Sequence, residues 1–406
     1  MIGRDAYLNA YRVLLSRLSR GRSAQSLIVT GLRGVGKTVL LNLFADAARD
    51  NKWVVIELEA SKHDEARFRS ALASNLRVAL FELSPRERWS DRFHRAAAAI
   101  GSFGLTVKED GSVSGTWGFE AREGLADRGD LALDLTDVLL ALGEAAKERE
   151  RGVVLLIDEV QFLSRHQLEA LIQAIHKTVQ KRLPVTFSGA GLPQIAELAG
   201  DAKSYAERLF TFSALTSLEA EDARHAFSEP ARVEGVTFEE GALDLAVSIT
   251  QGYPYFIQEL GYQAWELAEG TSITADDVRL AQDAYEAKLD GSFFRVRLDR
   301  TTPLQTSYLR AMAKLGSEPQ KAADVARVLG RTSSQVSPTR AELINMGLLF
   351  TPQHGYAAFT VPNFDQFMLR AVPVLEVPSP RRRTKASPDP SRGETAAEST
   401  RIVRGD

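Results

Sequence analysis

The chain reads as an α/β protein: a P-loop parallel-sheet core carrying a hairpin insert, then a helical lid, then a C-terminal winged helix-turn-helix domain. Three observations predict this. Short apolar runs that stop at a glycine or an acidic pair alternate with helical periodicity up to residue 214. Four helical patterns then follow with few strand signals between them. From about residue 302, three more helical patterns broken by Gly330 and Gly347 precede two short strand-like runs.

Each element has its own signal. Leu8, Tyr11, Leu14, Leu15 and Leu18 recur at three and four, an amphipathic helix over residues 7–18. Residues 26–30 (SLIVT) form a buried-strand run ending at Gly31, residues 38–49 are helical in pattern, and residues 53–58 (WVVIEL) make the next strand. A helix-rich stretch covers 65–99. Residues 102–121 alternate around Asp110-Gly111, which predicts an inserted β-hairpin. The rhythm returns with a helix at 131–149, a strand at 153–157, a helix at 165–180 and a strand at 184–188. Helices are expected at 220–229, 239–250, 254–268 and 275–289. In the last region, 305–315 and 321–329 precede a helix over 333–346 capped by Ser333, and 348–351 with 357–361 form a hairpin around 352–355. Helix, tight turn, helix and hairpin make a winged helix. Past Pro373 the composition turns to Pro, Ser, Arg and Glu, and a disordered tail is expected. The domain expectation is therefore 1–217 for the core, 218–300 for the lid, 301–372 for the winged helix and 373–406 for the tail.

Composition narrows the function classes. With 44% hydrophobic and 25% charged residues the chain can bury sizeable cores, and a net charge of -3 excludes a protein that is basic throughout. No cysteine is present, which removes disulfides, thiolate metal sites and cysteine nucleophiles. The apolar run at 153–157 is about a quarter of the ~20 residues that a membrane span needs. The N-terminus lacks the pattern of a secretory leader. A soluble cytoplasmic protein with no membrane partner is the expectation.

The chemistry lies in two strings. Gly31, Leu32, Arg33, Gly34, Val35, Gly36, Lys37 and Thr38 match G-x-x-x-x-G-K-[ST] at every defined position, between an apolar strand and an amphipathic helix. Glycines let the backbone N–H groups turn inward around phosphates, and the helix start adds its positive end. Lys37 would reach the β- and γ-phosphates of ATP, Thr38 would ligate Mg²⁺, and Val39 continues the loop into its helix. The second string, VVLLIDEVQFL, delivers Asp158 and Glu159 to the carboxyl end of a buried strand, where open α/β sheets bind ligands. Asp158 suits Mg²⁺, and Glu159 suits the base that orients an attacking water.

The ordered pair GLRGVGKT and LLIDE, followed by a strand ending at Ser188, resembles the AAA+ superfamily of ATPases. That resemblance makes Ser188 a γ-phosphate sensor; the alternative is that Ser188 merely begins an SGAG turn. It also makes Arg208, just before the next strand, an arginine finger aimed at a neighbour's nucleotide; the alternative is a surface pair with Glu207. Gly3-Arg4-Asp5 is similar to the short N-terminal motif lining the adenine pocket in related ATPases, which assigns Arg4 to the nucleotide. Gly252-Tyr253-Pro254 resembles the G-x-P of the STAND branch, signal-transducing ATPases with numerous domains, where the proline packs near the nucleotide. Many AAA+ proteins carry a lid arginine instead, and this motif supplies none, which fits a slow, switch-like ATPase. The structural alternative for Pro254 is a proline in the first turn of an ordinary helix.

The string VARVLGRTSSQVSPTRAELINMGLLF resembles DNA-binding winged helices. Ser334, Gln335, Thr339 and Arg340 would then face the major groove, with His354 at the wing tip near the backbone or minor groove. Residues 301–372 hold seven Lys/Arg against four acids, which favours DNA as partner. As a whole, residues 2–370 resemble the origin-recognition class of replication-initiator ATPases and the archaeal-type ATPases related to them. The resemblance implies an ATP-switched DNA-binding protein. A rival reading is a STAND-type signalling or defence ATPase, whose winged helix meets a protein partner and which forms homo-oligomers on ATP binding. A third is a remodelling ring that uses Arg208 in trans.

Overall fold

The computed structural model describes residues 2–61, 65–104, 106–107, 113–114, 122, 124–203 and 206–379. Helix α1 (Asp5–Ser19) buries Tyr11, Leu14, Leu15 and Leu18 and leads to β1 (Ser26–Gly31). The loop after β1 enters α2 (Lys37–Asp50), followed by β2 (Val54–Glu59), α3 (Glu65–Leu83) and α4 (Asp91–Phe103). A short antiparallel pair comes next, β3 (Thr106–Val107) with β4 (Val113–Ser114). The inserted hairpin thus starts after Phe103 rather than at residue 102, because α4 continues through Ser102 and Phe103; its Asp110-Gly111 turn lies outside the described residues. The core then completes with α5 (Leu131–Glu148), β5 (Val153–Asp158), α6 (Arg165–Gln180), β6 (Val185–Gly191), α7 (Ile195–Ala202), α8 (Ala206–Leu209) and β7 (Phe210–Leu215). Starts are fixed by side chains: Asp130 accepts from the Leu133 N–H at α5, and Ser164 with Gln167 caps α6 reciprocally.

The five core strands run in the order β2-β5-β6-β1-β7, every pair parallel. All carboxyl ends therefore share one edge. Gly31 stands opposite Leu215, and Asp158 opposite Glu59. With strands ~4.8 Å apart, the loop after β1 and the acids after β5 lie roughly 10 Å apart across β6. One face of the sheet packs against α3, α4, α5 and α6. The other packs against α1 and α2, and this second core continues through the lid into the C-terminal domain. Inside the first core, the fully buried Asp134 pairs with Arg69 at 2.9 Å and accepts from the Arg128 N–H at 3.0 Å, tying α3 to α5.

The lid comprises α9 (Ala220–Val233), β8 (Thr237–Phe238), α10 (Glu240–Thr250), α11 (Pro254–Leu267), β9 (Ser272–Ile273) and α12 (Ala275–Lys288). Helix α9 runs past the expected stop at residue 229 and carries Pro230 inside it, because Phe227 and Ala231 on either side are buried. The chain leaves α12 through a π-helical turn, Leu289–Phe294, into α13 (Arg295–Leu298). Next come α14 (Pro303–Leu315), β10 (Gln320–Lys321), α15 (Ala322–Val328), α16 (Ser333–Asn345), β11 (Leu349–Phe350), β12 (Tyr356–Phe359) and α17 (Phe364–Ala371). Three helices with a β10-β12-β11 antiparallel sheet are the winged-helix arrangement, to which α17 adds a fourth helix. Thr332, not Ser333, precedes α16, with the Gln335 side chain accepting from its N–H at 2.8 Å. The tail also begins later than Pro373. Residues 373–379 lie along α14, where Ser307 donates to the Glu376 carbonyl at 2.6 Å. Among the described residues, no helix is long and apolar enough to cross a membrane.

Candidate functional site

The loop from Gly31 to Thr38 closes on itself through geometry only glycine tolerates. Gly36 precedes α2 at φ +90°, a left-handed conformation that lets the chain turn into the helix with its amides facing inward. Lys37 is buried, and its amine donates to the carbonyls of Gly31 (3.1 Å) and Leu32 (2.9 Å). Burial pushes this amine below the usual lysine range, while Glu159 and Asp158 pull it back up. Thr38 donates to Asp158 Oδ2 at 2.6 Å, so the hydroxyl and carboxylate suited to one cation already touch. Val39 is exposed on the first turn of α2.

Asp158 ends β5, and its Oδ1 accepts from the Glu159 N–H at 2.7 Å. Glu159 sits at φ +52°, uncommon for a residue with a Cβ and a recurrent feature of functional turns. Its carboxylate accepts from the side-chain amide of Gln161, whose carbonyl in turn accepts from the Leu192 N–H at 3.1 Å. Gln161 therefore joins Glu159 to the end of β6. It follows the acidic pair by two residues, a signal that was in the sequence and was not used.

The donor set fits a nucleoside triphosphate with a divalent cation. A buried amine, amides at a helix start, and a hydroxyl–carboxylate pair converge on one edge of the sheet.

Other expected residues fall differently. Ser188 is fully buried in mid-strand, beside Leu27 and Leu156, and its Oγ has no hydrogen-bond partner among the described residues. Strand β6 runs three residues beyond it, so Ser188 lies roughly 10 Å below the edge and cannot sense a γ-phosphate there. Its position beneath the site corrects both expectations, sensor and turn. Arg4 is buried by its contacts with the start of the lid: it donates to the Thr216 carbonyl at 2.6 Å, and Asp222 lies beside it. Arg208 is exposed on α8, immediately before β7, at the opposite edge of the sheet from Lys37.

Pro254 opens α11, and the motif around it rests on the phosphate loop. The Tyr253 hydroxyl donates to the Arg33 carbonyl, and the Tyr255 N–H donates to the Gly34 carbonyl at 3.2 Å. The C-terminal domain touches the same loop: the Arg33 N–H donates to the Thr360 carbonyl at 3.2 Å. Gly347 sits beside the Arg33 guanidinium at φ +68°, a left-handed conformation that favours glycine there. Arg297, at 3.9 Å over the Phe293 ring, has Arg33, Tyr255 and Tyr253 as electrostatic neighbours. It brings a lid cation to the loop from a segment for which no element had been expected.

On the winged helix, Ser334 and Gln335 are exposed and His354 is exposed at the wing tip. Thr339 is buried, because it faces the domain core from α16, and is unavailable to a groove. Arg340 is held in the wing, donating to Tyr356 O (2.8 Å) and Thr351 Oγ1 (3.2 Å), and this anchoring removes it as a base reader. Four further cations of this domain are engaged internally: Arg310 with the Val372 carbonyl, Arg327 with Asp324, Arg331 with the Pro378 carbonyl and Arg370 with Asp290. The positive surplus counted in the sequence is mostly consumed by the fold.

Residues 1–188 match the AAA ATPase domain family, and residues 291–368 match a family described as a domain of unknown function (DUF8462). An uncharacterized HTH-type transcriptional regulator of Methanocaldococcus jannaschii is 22% identical over 362 residues, which cover 87% of this chain and 84% of the relative. Among solved structures, the Thermotoga maritima RuvB Holliday junction branch migration motor is similar at a TM-score of 0.45 and 16% identity, covering 93% of this chain and 96% of that one. The Aeropyrum pernix Orc1 protein in complex with DNA is similar at a TM-score of 0.43 and 16% identity, covering 92% and 93%.

Proposed function

Because the chain carries an AAA ATPase domain over residues 1–188, we propose that it is a nucleotide-controlled switch that binds ATP with Mg²⁺, hydrolyses it slowly, and binds DNA through its C-terminal winged helix. Lys37 and the loop amides hold the phosphates. Thr38 and Asp158 hold Mg²⁺, whose charge offsets that of the phosphates. Glu159 orients a water and accepts its proton at a carboxylate oxygen, and Gln161 fixes the rotamer in which it does so. The proposal divides the chain at residues 217, 300 and 372, with lid and winged helix as the parts that shift.

The observation that carries this reading is the direct contact between the phosphate loop and the winged helix, Arg33 N–H to Thr360 O, beside the two lid tyrosines. Lys37 must leave the Gly31 and Leu32 carbonyls to meet a phosphate, so nucleotide binding acts on the same loop that holds the C-terminal domain. A ligand shifts such an equilibrium only by its differential affinity for the two arrangements. The M. jannaschii relative, described as an HTH-type transcriptional regulator, supports DNA as the partner. Slow turnover fits a lysine that must first leave the carbonyls of its own loop.

The test is anisotropy of a labelled duplex titrated with protein, with and without ATP–Mg²⁺. ATP should change the affinity, and Lys37→Ala should abolish the change. Equal affinity with and without ATP refutes the switch.

A second reading has its own observation. The exposed side of α16 carries no cation, since Arg340 is tied into the wing. In that reading the winged helix meets a protein and ATP drives homo-oligomers, with Arg208 reaching a neighbour's nucleotide from the far edge of the sheet. ATP-dependent oligomers in light scattering without any DNA binding would establish it.

A further inference from the structure

The edge of the sheet opposite the nucleotide is unusually cationic. Residues 6–25, covering most of α1 and the approach to β1, contain no acid, and neither do residues 170–196, from α6 through β6. Arg17, Arg20 and Arg22 come from the first segment and Lys181 and Arg182 from the second, and all five are exposed. Arg208 joins them from α8. The chain brings these segments together because β6, β1 and β7 are neighbours in the sheet, so the turns that precede them emerge side by side.

A groove of about 500 Å³ marks the junction, with Arg17 from α1, Gln25 from the β1 approach, Val179 from α6 and Arg208 from α8 on its walls. His176 feels both Lys177 and Arg208, which places the end of α6 against α8. Among the described residues, no ion pair engages any of the six cations. Arg17 donates only to the Ser23 carbonyl, and the nearest acid in the chain to Arg208 is its neighbour Glu207. On the β2–β5 side the arrangement differs: Arg151 pairs with Glu82, and Arg92 with Glu148.

We infer that this face is a track for the phosphate backbone of duplex DNA, separate from the winged helix. Three neighbouring turns at ~4.8 Å strand spacing give a cationic ribbon rather than a single finger. Five of its six members are arginines, whose forked donors match phosphate oxygens. The face also supplies what the winged helix lacks, since five of that domain's seven cations are bound internally. The inference rests on DNA being the partner, as proposed above.

The test uses the full chain and a labelled duplex of arbitrary sequence, with anisotropy measured over a series of salt concentrations. The variants are Arg20→Ala/Arg22→Ala/Lys181→Ala/Arg182→Ala on the core and Ser334→Glu/Gln335→Glu on the winged helix. With about 0.9 counterions released per phosphate contacted, loss of two to four contacts lowers the slope of log K against log salt by roughly two to four. Affinity at low salt should fall at least tenfold, with ATP binding unchanged. If the wild type binds but the core variant keeps its slope, the track is refuted and the winged-helix reading stands. If binding survives the winged-helix substitutions and is lost in the core variant, the track stands and the winged-helix reading fails. A wild type that binds no DNA at low salt overturns both. Loss of ATP-dependent self-association in the core variant, with DNA binding intact, assigns the face to a second copy of the chain and overturns the track.

Discussion

Tyr253→Phe isolates the contact between lid and phosphate loop. The substitution keeps the ring, which packs on Phe256 with centroids 4.7 Å apart, and removes only the hydroxyl that donates to the Arg33 carbonyl. Tyr253 is 3% exposed, so little water replaces the lost donor. A buried hydrogen bond of this kind contributes about 0.5–1.5 kcal/mol, and leaving its acceptor unmet takes the cost toward the upper end. About 1.4 kcal/mol is a factor of ten in an equilibrium constant. If the open arrangement holds about 1% of wild-type molecules, the variant raises it to about 10%, and the apparent Kd for nucleotide falls by nearly the same factor. The assay is titration of a fluorescent ATP analogue, with the Tm of the nucleotide-free protein measured alongside. Both should fall, affinity tightening as stability drops. A lower Tm with an unchanged or weaker affinity would show that the bond is made in both arrangements, and the lid would not gate the loop.

Glu159→Gln should bind ATP normally and lose turnover by about 10²–10⁴, the usual worth of a positioned base, in a phosphate-release assay; normal hydrolysis would mean that the base lies elsewhere. Gln161→Ala should lower kcat roughly tenfold with little change in KM, since one hydrogen bond that aims Glu159 is lost, and an unchanged kcat would assign Gln161 to packing alone. Asp134→Ala should destabilise the core by about 3 kcal/mol in urea denaturation. That is the lower end for an uncompensated buried charge, because Glu65 still pairs with Arg69. A loss below about 1 kcal/mol would indicate that water solvates Arg69 in the variant.

The sheet order was not written in any single motif, yet its ingredients were. Apolar runs ending at Gly31 and Asp158 announced two strands, and the parallel arrangement followed from the helices between them. What escaped had physical causes. Gly189-Ala190-Gly191 looks like a turn in one dimension, but small residues also suit a strand buried between β5 and β1, and Ser188 was misplaced with them. The helix expected to stop at residue 229 continues through Pro230, because burial of Phe227 and Ala231 keeps α9 intact across it. The burial of Thr339 and the anchoring of Arg340 depend on which side of α16 meets its own domain. The pattern of that helix is too weakly amphipathic to reveal it. Charge counting failed for a related reason, since a count cannot distinguish an arginine bound to a carbonyl from one facing solvent. The nucleotide residues were legible because the loop is contiguous. Arg297 and Thr360 were not, because they reach it through tertiary packing.

The π-helical turn after α12 sets two consecutive rings to work on opposite neighbours. Phe293 stacks on Tyr255 of the lid with centroids 4.3 Å apart, while Phe294 packs at 5.2 Å on Phe367 of α17. Adjacent Cα atoms are ~3.8 Å apart, and the residues of a helical turn have no freedom to rotate independently. Tyr255 of the lid and the seat of α17 are therefore linked through two residues that share one peptide bond. A single glycine inserted between these phenylalanines would lengthen that link by one residue, ~3.8 Å of chain.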